Sequence, residues 1–129
     1  MRWGRLFRSG HTAGLSERDQ AIVAALDIRV CCDFRREEEH LIEPTRLPAS
    51  TRIVGLTVNP GSTSSFFDQV AERGAAPVDM AAFMEEINRE FVHHHAPQFR
   101  RMFGELLDLG DGGFMINCAA GKDRTGFGA

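Results

Sequence analysis

Asn117-Cys118-Ala119-Ala120-Gly121-Lys122-Asp123-Arg124-Thr125-Gly126 is the stretch on which the reading of this chain turns. Five residues separate Cys118 from Arg124, after a short apolar run, Phe114-Met115-Ile116. The tract contains glycine and ends where a helix can begin, so the local order is strand, loop, helix. Five residues can wrap around one oxyanion with their amides pointing inward. The arginine then returns to face the sulfur. Such a loop combines a backbone nest, a helix N-terminus and a guanidinium that can bind a dianion in a bidentate way.

The chemistry follows from the residue types. A free thiol is mostly protonated at neutral pH and becomes a good nucleophile only as a thiolate. Inward amides, the dipole of a following helix and a nearby arginine all favour the thiolate in a loop of this kind. Cys118 would attack phosphorus in line and form a phosphocysteine. Arg124 would hold two equatorial oxygens with a fork that lysine lacks. The backbone of Ala119, Ala120, Gly121, Lys122, Asp123 and Arg124 would bind the phosphate. Thr125 could help expel the sulfur as water attacks. Asp123 is the candidate general acid for the leaving oxygen, and then the base on the water. The scheme needs no metal and no cofactor. Cysteine-x5-arginine alone is a weak signal, compatible with a buried cysteine closing a strand ahead of a polar turn. Gly121, Lys122, Asp123, Thr125 and Gly126 together argue against that plainer reading.

With these flanks, Cys118 to Gly126 resembles the signature of the atypical bacterial tyrosine phosphatases. Arg5-Leu6-Phe7-Arg8-Ser9 is similar to an early segment of that family. Leu26 to Val30, then Asp33-Phe34-Arg35 with Glu39, resembles its Asp-Leu-Arg…Glu strand and turn. Met84 to Phe91 and Phe99 to Leu107 resemble the helical run before the nucleophile strand. The resemblance implies phosphotyrosine as substrate, often with phosphoinositides and with dual specificity. It also implies that Arg35 and Glu39 are structural ion partners rather than catalysts.

The departures matter too. Asn117 stands where the family usually has histidine. It can hold the backbone by hydrogen bonds but carries no positive charge, which predicts slower chemistry. Phe34 replaces a leucine, a change within the core. The family's acidic residue after the second strand has no counterpart in Val58-Asn59-Pro60-Gly61, and the next aspartate is Asp68, which leans weight on Asp123. Family domains also run well past the signature and begin further upstream. The chain therefore reads as a single partial phosphatase domain over residues 1–129, truncated at both ends, with its phosphate loop at 118–124 and its C-terminal helices missing.

A length of 129 residues allows one domain at most. The formal charge of −3 gives no bulk attraction to nucleic acid or an anionic membrane. No run is long enough for a transmembrane helix, and Met1-Arg2-Trp3-Gly4-Arg5 lacks a signal peptide's apolar core, which predicts a cytoplasmic protein without stable membrane insertion. Cys31, Cys32 and Cys118 are an odd number without scaffold spacing, which suits a reducing compartment. Cys31 and Cys32 should face opposite sides of a strand. A regulatory disulfide from one of them to Cys118 is a minor alternative.

Along the chain, Trp3–Arg8 reads as a short strand. Ser16 reads as the N-cap of a helix with Asp19 three residues on and an apolar stripe of Ile22, Val23 and Leu26. Ile28–Phe34 reads as a buried strand and Arg52–Val58 as another. Phe66, Phe67 and Val70 suggest a short helix after a flexible Ser62–Ser65 tract. Asp79–His95 is a helix with Met80, Phe83, Met84, Ile87 and Phe91 on one face. Pro97 is expected to start a separate helix, Gln98–Leu109, facing inward with Phe99, Met102, Phe103, Leu106 and Leu107. His93-His94-His95 diverge on a helix and cannot share one metal ion. The sum is an α/β fold, tyrosine phosphatase-like, with a mostly parallel central sheet flanked by helices.

Three functions fit the loop to different degrees. The leading one is a phosphatase acting through phosphocysteine on a phosphorylated protein or a phosphoinositide. A non-catalytic phosphate-binding module or inactive fragment is the alternative from another class. A rhodanese-like sulfurtransferase is the third, and Lys122 through Gly126 argue against it.

Overall fold

The computed structural model describes residues 3–59 and 80–129. The order is β1 (Leu6–Ser9), α1 (Glu17–Ala24), β2 (Ile28–Asp33), α2 (Glu37–Ile42), β3 (Arg52–Gly55), α3 (Met80–Asp108), β4 (Gly113–Asn117) and α4 (Asp123–Gly128). The strands form one sheet in the order β1-β4-β2-β3. All three pairings are parallel. The α/β expectation holds. The Phe66–Val70 segment lies outside the described residues.

A parallel sheet buries both faces, so its strands read as continuous apolar runs. β2 and β4 are buried throughout apart from Arg29, and apolar up to the polar residues at their C-terminal ends, Asp33 and Asn117. The pairing of β2 with β4 slips between Ile28 and Val30. That irregularity sets the two residues on opposite faces: Ile28 joins Cys31 and Met115, whereas Val30 joins Cys32, Phe114 and Ile116. Cys31 and Cys32 thus serve different faces, as expected, and all three cysteines are free. Burial pushes the Cys32 thiol up to about 12, and the Cys31 thiol higher still.

The larger core packs Val54, Leu56 and Val58 with Ile87, Phe91, Phe99 and Met102 of α3. β3 is shorter than expected, although the chain beyond it still donates from Leu56 N to Asp33 O and from Val58 N to Phe34 O. β1 likewise covers Leu6–Ser9 rather than Trp3–Arg8.

The main correction concerns Pro97. The chain does not restart there: α3 runs unbroken from Met80 to Asp108 with Pro97 inside. Proline removes one backbone donor, but Phe91 and Phe99 lie on either side of it with ring centroids 6.3 Å apart in the same core. Burying both rings on one helix face outweighs the lost bond. A second correction is that Phe103 and Leu107 are 52% and 82% exposed rather than inward. The same is true of Ile22 and Leu26 in the expected stripe near α1, of which Val23 alone packs on the smaller cluster. The expected cap is present: Ser16 Oγ accepts from Asp19 N and Asp19 Oδ2 accepts from Ser16 N.

Candidate active site

β4 is flanked by β1 and β2, so the loop that leaves it at Asn117 has a support on each side. The C-terminal ends of parallel strands are where open α/β sheets hold ligands. Cys118 is buried at the end of β4, and Gly121 N donates to Cys118 Sγ at 3.2 Å. One inward amide thus reaches the sulfur, as the spacing predicts.

The β1 side shapes the loop. Gly121 adopts φ +69°, and a Cβ there would lie 2.6 Å from Gly10 N and from Ser9 C. Glycine is required on both counts. Arg8 Nη2 donates to Gly121 O at 3.0 Å, and His11 N donates to Ala119 O at 2.9 Å. The Arg8–His11 segment is therefore a buttress for the loop. Sequence reasoning did not give it that role, because only the fold brings it alongside. His11's ring meets Glu43 Oε1 at 3.4 Å.

The β2 side holds the arginine. Arg124 donates from Nη1 to Glu39 Oε2 at 2.8 Å, from Nη2 to Glu39 Oε1 at 2.7 Å, and from Nη1 to Phe34 O at 3.2 Å. Hydrogen bonding to Arg124 is the chief cause that holds the Glu39 carboxyl at about 2, well below its ordinary value. Arg36 N also donates to Glu39 Oε2, at 2.7 Å, so the carboxylate is fixed at the start of α2. Arg35 and Glu39 are ion partners, but not of each other: Arg35 pairs with Asp33.

The remaining site residues fall as follows. Thr125 is fully buried, and its hydroxyl makes no hydrogen bond among the described residues. Asp123 and Lys122 are more open and pair at 3.5 Å. Four charged groups therefore cancel in two pairs, so attraction for an anion rests on directed donors rather than on net charge. α4 covers Asp123–Gly128 and begins inside the loop. Asn117 is buried. Its backbone carbonyl accepts from Phe34 N, while its side-chain oxygen accepts from Cys31 Sγ at 3.3 Å. Its side-chain nitrogen makes no hydrogen bond among the described residues.

A buried cysteine with a loop amide on its sulfur and a clamped arginine in the same loop agree with a comparison of the whole chain. The family model described as "Tyrosine phosphatase family" matches residues 1–129. The chain belongs to the tyrosine phosphatase family. It is 32% identical over 131 residues to a protein of Cupriavidus necator that carries the name of a tyrosine-protein phosphatase, an alignment covering 100% of this chain and 46% of that protein. It is 25% identical over 126 residues to a tyrosine-protein phosphatase of Nostoc commune, covering 92% of this chain and 39% of the relative. The chain thus spans less than half the length of these two tyrosine-phosphatase relatives. Among the described residues, no helix is long and apolar enough to cross a membrane.

Proposed function

We propose that this tyrosine phosphatase domain hydrolyses phosphate monoesters through a phosphocysteine. One observation carries the reading: the loop that holds Cys118 against the Gly121 amide also returns a buried arginine whose position is fixed. Cys118 sulfur attacks phosphorus, the P–S bond forms and the P–O ester bond breaks. The departing oxygen takes a proton from Asp123. Water, deprotonated by Asp123, then attacks phosphorus, and the sulfur leaves with a hydrogen bond from the Thr125 hydroxyl. The amides from Ala119 to Arg124 and the Arg124 fork stabilise the equatorial oxygens.

Phosphotyrosine is the leading substrate, in line with the names of the relatives. Other phosphoesters, including phosphoinositides, suit the same loop. Free cysteines, with a nucleophile among them, suit the reducing cytoplasm.

The test is para-nitrophenyl phosphate hydrolysis with EDTA present, beside Cys118→Ser. Metal-independent turnover that falls at least about 1,000-fold in the variant is the expected result. A folded chain without turnover that still binds phosphate would instead support the binding-module reading. Thiosulfate turnover would support a sulfurtransferase.

A further inference from the structure

The two faces of the sheet are filled unequally. On the face away from α3, the buried cluster among the described residues is Ile28, Cys31 and Met115, with partly buried Phe7, Val23 and Leu47 against it. α1 contributes Val23 to this cluster and leaves Ile22 exposed. Beside the cluster lies a cavity of about 230 Å³. Phe7, Val23, Leu47 and Met115 belong to its apolar wall, and Arg8, Ser9, His11 and Thr12 form its polar wall. Residues 118–124 do not line it, so it is separate from the phosphate loop.

We propose that this cavity binds a neutral single-ring phenol, and that the occupant steadies the phosphate loop. Size sets the first limit. An apolar cavity of about 150 Å³ holds benzene, so this one has room for a ring with one or two small substituents. The Phe7 ring and the Met115 thioether suit an aromatic occupant. Polarity sets the second limit. Thr12 is buried, and its Oγ1 accepts from Arg46 N at 3.1 Å, which leaves its own O–H to donate. No hydrogen bond among the described residues engages the Ser9 hydroxyl. A phenolic O–H can donate to one of these hydroxyls and accept from the other. Charge sets the third. Arg8 is exposed and donates to Gly121 O, and the His11 ring meets Glu43. Neither offers a buried counter-charge, so an ionised ligand is disfavoured.

The link to the loop is short. The segment that forms the polar wall also holds the loop, through Arg8 Nη2 on Gly121 O and His11 N on Ala119 O. A ligand that fits only when this segment is in place favours the propped loop by its differential affinity. The coupling rests on the phosphate-loop reading above; the cavity does not.

The experiment titrates p-cresol, and tungstate as a phosphate mimic, by calorimetry. The methyl resonances of Met115 and Val23 report where the phenol sits. Wild type should bind p-cresol and shift both resonances, a readout that depends on no variant folding. Toluene, which lacks the hydroxyl, should bind about 5-fold more weakly, and Ser9→Ala should narrow that gap. Val23→Phe fills the cavity from α1. It should lose at least about 10-fold in p-cresol affinity and keep wild-type tungstate affinity. Leu47→Phe takes its place if Val23→Phe does not fold. Saturating p-cresol should tighten tungstate binding about 5-fold in wild type and leave it unchanged in the filled variant.

Absence of p-cresol binding, or binding that leaves Met115 and Val23 unmoved, overturns the site. So does full affinity in a folded Val23→Phe or Leu47→Phe. Equal affinity for toluene overturns the phenol assignment. Tungstate affinity that p-cresol leaves unchanged or weakens overturns the coupling. A wild type that binds p-cresol at Met115 but binds no tungstate refutes the phosphate-loop reading and leaves the cavity assignment standing.

Discussion

Two arginine–carboxylate pairs sit at the C-terminal side of β2, and they are built differently. Arg35 is fully buried with Asp33, and all three of its side-chain nitrogens are engaged: Nε and Nη2 with Asp33, Nη1 with Glu43 O, and Nη2 also with His40 Nδ1 and Thr45 Oγ1. Arg124 is also buried, but its partners leave Nε unengaged among the described residues. Both pairs satisfy the requirement that a buried charge be matched. Only the second keeps directed donors for something else. A structural arginine closes its hydrogen-bond set, whereas a binding arginine is closed on one edge and open on the other.

The comparison can be broken from either side. Asp33→Asn should cause the largest loss of stability. It leaves the Arg35 charge buried without its partner, at a cost of about 3–5 kcal/mol, read as a fall in the denaturant midpoint. If stability is unchanged, the pair is not the structural anchor described. Arg124→Lys comes next, with its effect in catalysis rather than folding. A lysine can meet Glu39 but offers no planar second fork, so kcat should drop about 100- to 1,000-fold while the melting curve moves little. A large loss of stability with normal turnover would reverse the roles of the two arginines.

Gly121→Ala probes the support between β1 and the loop. The positive φ and the close approach to Gly10 N predict about 1–3 kcal/mol of destabilisation, with activity falling alongside. Acid should produce the gentlest effect. Glu39's carboxyl is lowered from 4.5 to about 2 in the folded chain, so its contribution is present in full above about 4.5 and is lost as the pH falls toward 2. Stability measured over that window should decline in wild type, and less steeply in E39Q. Parallel profiles would remove Glu39 from the account.

Much of the site was legible in the residue order. The turn from β4 into α4 is local, because backbone conformation and spacing are written in neighbouring residues, whereas the close approach that also demands glycine at 121 comes from Ser9 and Gly10 across the fold. The Ser16–Asp19 cap was legible for the same reason. What the local signal did not reveal is which groups meet. Pro97 suggested a break because a proline's own preference is local, while the cohesion that carries α3 through it comes from Phe91 and Phe99 packed into the common core. Asn117 suggested a side chain that holds the backbone by hydrogen bonds, but its oxygen accepts from the Cys31 thiol, 86 positions away in the chain.

The α/β class, a mostly parallel sheet and the cysteine-to-arginine loop follow from the order of residues. Periodicity, caps and tight turns depend on residues a few positions apart. Tertiary structure alone decided that Glu39, 85 positions from Arg124, takes one fork of its guanidinium, and that Arg8 to His11 prop the loop from the other side. Those contacts depend on which strands lie side by side and on the requirement that buried charges and backbone groups find partners, which the chain settles only when it folds.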